Sequence, residues 1–295
     1  MVYYGTVTLY ECPNCHNLCR YIQSSNFNDE KEWRCRDCNV KKSFRIGSFF
    51  ESSHLTFYQI IDFLYFWSRK LLVKDISEEV NVATHMAVEW ANIIRDICGL
   101  WCIDQQQQIG GEGKVVEIDE SKWMHRKYHR GKWKERIWVF GIISFQLISY
   151  LLLLLLLLLL GGVERGSNRC FMVPCVNKDR SARALLPLIQ EHIAPHTTIV
   201  SDAWRSYRDL PNITNANYSH DWVVHEYHFV DPRDPAIHTQ TVEGMWGHAK
   251  DRFRAMHGTS DGLFDTHLQE FMWRRSHDKD AFANIVFWIW HNFPK

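Results

Sequence analysis

A mixed α+β fold is predicted from three features of the sequence. Two Cys-x-x-C pairs sit in a polar, Cys-rich opening stretch. Apolar residues at helical spacing fill the segment that follows. Beyond residue 114, β-branched runs ending in acids alternate with helix-like segments. The expected organisation is a zinc ribbon over residues 1–48, a helical segment over 49–103, a mixed-sheet α/β domain over 114–275 with a leucine-rich insertion at 142–160, and a C-terminal helix over 276–295. The glutamine run 105–108 with Gly110, Gly111 and Gly113 marks a linker at 104–113.

The opening stretch carries the most specific local signal. Cys12-Pro-Asn-Cys15 and Cys35-Arg-Asp-Cys38 are two knuckles with nineteen residues between them. Zn²⁺ takes four soft ligands in a tetrahedron, and two such knuckles supply them. His16 and Cys19 lie close enough to compete and are treated as spare. Cys98, Cys102, Cys170 and Cys175 sit in apolar contexts and are expected in the core. Nine cysteines in all, and an opening from Met1 to Glu11 that lacks a charged n-region and apolar h-region, fit a reducing compartment better than a disulfide framework. Arg20, Arg34, Arg36, Lys41, Lys42 and Arg45 favour a nucleic-acid role for the ribbon.

In the helical segment, Leu55 to Leu72 reads as a buried helix. Asp75 to Val80 then reads as a short helix, Asn81-Val82 as a turn, and Ala83 to Cys98 as a longer helix. That order is the helix-turn-helix pattern. The second helix is poorly equipped to read a groove, with Arg95 its only full positive charge, so simple helical packing stands beside DNA reading.

In the α/β stretch, Val115 to Asp119, Arg136 to Phe140, Cys170 to Val173 and Thr197 to Asp202 read as strands, and Ser181 to Ile193 as an amphipathic helix. Two strands end in acids, Asp119 and Asp202, which places carboxylates at a sheet crevice. Phosphodiester chemistry by two metal ions needs hard oxygen ligands converging from several elements. A third carboxylate from a helix would complete such a set, and Glu243, Asp251 and Glu270 are the candidates. Lys250, seven residues after Glu243, falls on the same helical face and is placed to touch a phosphate.

Composition constrains the partner. Lys plus Arg and Asp plus Glu number 34 each, so the net charge is zero and a nucleic-acid protein would need a local basic patch. Lys122 to Arg136 supplies one, through Lys122, Arg126, Lys127, Arg130, Lys132, Lys134 and Arg136. Thirteen tryptophans suit a core or base stacking equally. Ten consecutive leucines, Leu151 to Leu160, extend an uncharged run from Trp138. Its length would span a bilayer, which makes a membrane-anchored zinc protein an alternative.

These residues together resemble the transposases of Merlin-type DNA transposons and related bacterial insertion-sequence transposases. The matching strings are Glu117-Ile-Asp-Glu-Ser-Lys122, Arg126-Lys-Tyr-His-Arg-Gly131, Trp138-Val-Phe-Gly141, Asp179-Arg-Ser181 and Leu185-Leu-Pro187. They continue with Ser201-Asp-Ala-Trp204, Tyr207, Val223-Val-His225, Phe229-Val-Asp-Pro232, His238 to Trp246, Lys250 and Glu270 to Arg274. The resemblance implies an N-terminal zinc ribbon, a helical DNA-binding segment and a ribonuclease-H-like DDE catalytic domain. It implies that Asp119, Asp202 and Glu243 are the catalytic triad and hold two Mg²⁺ (or Mn²⁺) ions for strand cleavage and strand transfer. Lys122, Arg126, Lys127, Arg130, Lys132 and Lys250 would contact DNA, and His225 and His238 would flank the site. The partners implied are double-stranded DNA (terminal repeats and target) and a second copy of the chain in a homodimer or higher oligomer, with no membrane. The place of action would be the nucleus in a eukaryote or the cytoplasm and nucleoid in a bacterium.

Two departures stand out. Val224 occupies a position where the family often has Asn. Between Trp138-Val-Phe-Gly141 and the Gly-rich turn at Gly161, residues 142–160 intervene, and the leucine run is expected to interrupt the second strand of the catalytic sheet. A non-catalytic DNA-binding protein derived from such an enzyme is therefore the alternative function.

Overall fold

The structure, a computed structural model, describes residues 10–104, 108–124, 156–175, 179–224, 232, 234–256 and 258–293. It divides into two compact units, Met1–Ile97 with Lys279–Lys295, and Cys98–Asp278.

The first unit begins with a three-stranded antiparallel sheet, β1 (Arg20–Gln23), β2 (Lys31–Arg34) and β3 (Lys41–Ser43). Its small core is Cys12, Cys19, Trp33 and Cys35. Arg45, expected on a nucleic-acid face, is instead buried and ion-paired with Asp29. Helix α1 (Phe57–Ser68) opens with a capping box, in which Thr56 and Gln59 each satisfy the other's backbone amide. It is shorter than the expected Leu55–Leu72 because Lys70, two residues past its end, turns left-handed at φ 67°. It buries Ile60, Phe63, Leu64 and Trp67, the i, i+3, i+4, i+7 stripe of an amphipathic helix. Helix α2 (Val73–Glu79) ends where Asn81 adopts φ 53° and the Val82 amide reaches back to the Ser77 carbonyl. Asn tolerates that left-handed position better than most residues. Helix α3 (Thr84–Asp104) follows, burying Ala87, Trp90, Ala91, Ile94 and Ile97 along one face.

The second unit contains a short parallel pair, β4 (Ile109–Gly110) with β8 (Ile193–Ala194), and a five-stranded sheet. The strands of that sheet are β5 (Val115–Met124), β6 (Leu156–Glu164), β7 (Cys170–Pro174), β9 (Thr198–Asp202) and β10 (Ser219–Val223), in the order β10-β9-β5-β6-β7. β6 runs antiparallel to both β5 and β7, whereas β9 and β10 run parallel to β5. A mixed sheet with its second strand reversed is the ribonuclease-H-like arrangement. Helix α4 (Ala182–His192) covers one face, meeting Val116, Ile118, Leu158, Leu160 and Ile199 through Leu185 and Ile189. Helices α5 (Gln240–Ala255) and α6 (Asp261–Ser276) cover the other, meeting Trp123, Leu159, Val163 and Met172 through Val242, Met245, Trp246, Phe253, Phe264 and Leu268. The last helix, α7 (Ala281–Asn292), belongs to the first unit, where Phe282 meets Tyr65 of α1.

The leucine run corrects an expectation. Its last five residues do not interrupt the second strand; they form it. Leu160, Leu159, Leu158, Leu157 and Leu156 pair in register with Glu120 to Met124 of β5. A central strand covered on both faces reads as a continuous apolar run, and leucine meets that need at every position. Leu158 and Leu160 enter the core under α4, and Leu159 enters the core under α5 and α6. A homopolymer carries no register of its own, since each one-residue slip offers the same side chains. Gly161 and Gly162 supply it. A Cβ on Gly161 would lie 2.5 Å from the Trp246 ring, and one on Gly162 would lie 2.4 Å from the Phe171 ring, so no leucine can slide into either place. The strand expected at Arg136–Phe140 and the earlier leucines lie outside the described residues. Among the described residues, no helix is long and apolar enough to cross a membrane.

Candidate functional site

The first site is the cysteine cluster. Cys12, Cys15, Cys35 and Cys38 bring their sulfur atoms within 4.8 Å of one another, the group among the described residues with metal-ligand geometry. Cys12 and Cys38 stand 3.2 Å apart, Cys15 and Cys35 3.4 Å, and Cys15 and Cys38 3.7 Å. Four thiolates at Zn–S bonds of about 2.3 Å in a tetrahedron have sulfurs just under 4 Å apart, so the set fits zinc. Amides of the knuckles point at two of the sulfurs, Asn14 N at Cys12 and Asp37 N at Cys35. Cys19 is buried beside the cluster but outside the ligand group.

The second site is built on β5. Side chains alternate along a strand, so Glu117, Asp119, Ser121 and Trp123 share the face turned to α5 and α6, while Val116, Ile118 and Glu120 face α4. Glu117 pairs with Val200 of the parallel strand β9. Two residues further along each strand come Asp119 and Asp202, on that same face. Opposite Asp119 in the antiparallel register is Gly161. Its missing side chain lets Trp246 of α5 press against the sheet, which brings the first turn of α5, with Glu243, toward Asp119. Burial, then the negative charges of Glu120 and Asp202 with a smaller share from Glu243, push the Asp119 carboxyl up to about 7. The three acids are thus close enough to repel, although their ligand atoms are not all within 4.8 Å of one another. Ligands shared between two ions about 4 Å apart spread more widely than those around one. Thr239 Oγ donates to Glu243 at 2.8 Å, and the Trp204 amide donates to Asp202 at 3.0 Å.

The rival third acids are committed elsewhere. Glu270 is fully buried, with Arg252 at 2.5 Å and Arg274 at 2.8 Å. Burial raises its carboxyl, but the two guanidinium groups more than offset that and hold it well below the ordinary value. Asp251 is exposed and paired with Arg254. Lys250 lies within electrostatic reach of Asp119. Burial pulls its ammonium down while the charge of Asp119 pushes it up, and its Nζ stands 6.0 Å over the Trp123 ring. Lys122 is exposed on β5. His238 Nδ1 is 3.3 Å from Glu117 rather than against the triad. Arg126, Lys127, Arg130, Lys132 and His225 lie outside the described residues.

Two supporting pairs escaped the sequence reading. Glu120 is held by Arg180 through two contacts at 3.1 and 3.2 Å, and that guanidinium stacks 4.2 Å over Trp204. Glu117 is held by Arg165 at 2.6 Å. The available signal was an acid in a strand otherwise built for burial, since a buried carboxylate requires a partner. The partner's identity was hidden, because Arg180 and Arg165 follow 60 and 48 residues later.

An uncharacterized transposase-like protein of Haemophilus influenzae strain Rd is 26% identical over 106 residues, covering 36% of this chain and 81% of that protein. The Mos1 strand transfer complex overlaps 78% of this chain and 77% of its own at 11% identity, with a TM-score of 0.24. A pre-cleavage Mos1 transpososome overlaps 79% and 78% at 11% identity, with a TM-score of 0.22. Residues 112–276, which hold the whole five-stranded sheet with α5 and α6, match the ISXO2-like transposase domain, and the chain belongs to that transposase family.

Proposed function

We propose that the protein is a cut-and-paste DNA transposase in which Asp119, Asp202 and Glu243 form the catalytic triad. The observation that carries this reading is the convergence of the three acids: two from adjacent parallel strands on one face, and one from the first turn of the helix packed over that face. Such an arrangement gathers negative charge around the Asp119 carboxyl, which suits divalent cations with oxygen ligands. Mg²⁺ or Mn²⁺ ions, when bound, would activate the attacking oxygen and steady the leaving one. The chain's own residues do the rest. The acids orient the ions, Lys250 meets a backbone phosphate beside them, and Trp246 closes the apolar floor behind them. The substrate would be double-stranded DNA at transposon ends and then at a target, with two copies of the chain needed to pair two ends. The protein would act in the nucleus or nucleoid, wherever its host keeps DNA.

The ribbon's Cys12, Cys15, Cys35 and Cys38 would hold zinc as a structural ion. The pairing of Leu156 to Leu160 within β6 supports the catalytic reading over a non-catalytic descendant. A metal-dependent strand-cleavage assay on DNA carrying the element's ends tests the proposal. Cleavage that requires Mg²⁺ or Mn²⁺ and disappears in Glu243→Ala is expected. Equal cleavage by that variant would remove Glu243 from the triad, and DNA binding without cleavage by the unmodified chain would leave the non-catalytic alternative.

A further inference from the structure

We infer that Glu117 is a positioning residue that sets the distance between Asp119 and Glu243 by capping the catalytic helix from the sheet; this rests on the triad reading above. Helix N-termini carry amides with no partner in the helix, normally met by the side chain of the N-cap residue. The N-cap residue of α5, Thr239, makes no such cap, and its hydroxyl donates to Glu243 instead. The cap comes from β5. Glu117 Oε2 accepts the Thr241 amide at 2.8 Å and the Val242 amide at 3.0 Å. Glu117 Oε1 accepts the Thr241 hydroxyl at 2.8 Å and Arg165 Nε at 2.6 Å.

The same arginine secures the chain leading into the helix. Its remaining nitrogens donate to the Ala236 carbonyl at 2.5 Å and the His238 carbonyl at 2.7 Å, while its own amide bonds Val115 O at 2.9 Å. The clamp therefore joins a strand position two residues before Asp119 to helix positions immediately before Glu243. Sliding α5 by one residue would move Glu243 by about 1.5 Å along the axis and would break the three bonds from Glu117 to Thr241 and Val242. A carboxylate with no exposure has both oxygens filled, so it is not free to serve as a fourth metal ligand. Its negative charge lies at the positive end of the α5 dipole, where the amides and Arg165 balance it.

The test measures metal binding in the zinc-loaded full chain, with Mn²⁺ alone as probe and electron paramagnetic resonance as readout. Wild type is expected to bind Mn²⁺, and Asp119→Asn and Glu243→Gln to abolish that binding. Glu117→Gln keeps the shape but loses the charge that holds Arg165. It is expected to weaken Mn²⁺ binding about 10–100-fold, the usual effect of removing an outer-shell partner, with circular dichroism unchanged. Thr241→Val, which removes one of the four bonds, is expected to weaken it less. Wild-type Mn²⁺ affinity in a folded Glu117→Gln, even at a lower melting temperature, would reduce Glu117 to a fold element and overturn the inference. If Glu117→Gln does not fold, Thr241→Val and Arg165→Lys decide, and unchanged affinity in both overturns it. Wild-type Mn²⁺ binding that is indifferent to Asp119→Asn and Glu243→Gln would sink the triad reading itself, an outcome recognisable without any Glu117 variant.

Discussion

The cysteine cluster and the acid cluster are built in opposite ways. The cysteines come from two knuckles in one small sheet, and the sulfurs already stand within 4.8 Å of one another. The acids come from three elements of a larger sheet-and-helix layer, and burial together with their mutual repulsion pushes the Asp119 carboxyl up. Attraction of four thiolates to one ion would hold the ribbon together, because its buried core is little more than Cys12, Cys19, Trp33 and Cys35. The second unit, by contrast, has apolar cores on both faces of its sheet. Ligands in the ribbon would therefore serve stability, and the clustered acids of the second unit would oppose it.

Stripping zinc with a chelator, or Cys35→Ser, is the severest way to break that comparison. Structural zinc sites are worth about 10–16 kcal/mol of binding free energy, so the ribbon should lose its fold while the second unit melts as before. Heteronuclear spectra that keep dispersed ribbon signals without metal would break the contrast. In the second unit the comparable damage comes from the core. Leu159 is fully buried under α5 and α6, and Leu159→Ala should cost about 2–5 kcal/mol by denaturant unfolding. A cost under about 0.5 kcal/mol, the range of exposed sites, would contradict the placement of the leucine run in β6.

Glu270 gives a finer test of charges that serve the fold. Its carboxyl is held below the ordinary value of 4.5 by Arg252 and Arg274. A depressed folded-state pKa contributes stability that is complete above the unfolded value and is lost as pH falls through the folded one. Stability of the second unit should thus decline below about pH 4.5, and Glu270→Gln should flatten that decline. An identical acid limb in the variant would show that the network around Glu270 contributes nothing. The smallest effect on stability belongs to the triad. Asp119→Asn removes a buried charge facing like charges, so the metal-free melting temperature should stay level or rise slightly, while cleavage is lost. A clear drop in melting temperature would mean that Asp119 supports the fold after all, and the contrast between the two clusters would narrow.

Several parts of this architecture were legible in the sequence because their determinants are local. The Cys-x-x-C spacing named four ligands that the fold brings together, since each pair spans a single tight turn. The run Thr197 to Asp202 declared a strand that ends in an acid, whereas the run Val115 to Asp119 opens a strand that continues to Met124 and holds Asp119 in its middle; period-two alternation places both acids on one face. The tertiary structure decided what depends on contacts far apart in the chain. Glu243, Asp251 and Glu270 were equal candidates by residue type, and only packing spent Glu270 on Arg252 and Arg274 and left Asp251 at the surface. The leucines from 156 to 160 looked like an interruption because ten identical residues carry no period. They became the second strand once two cores claimed their alternate sides and two glycines fixed their register. Glu117 stood in plain view beside Asp119, yet its meaning required a helix 124 residues away in sequence, folded back so that two of its amides met that carboxylate.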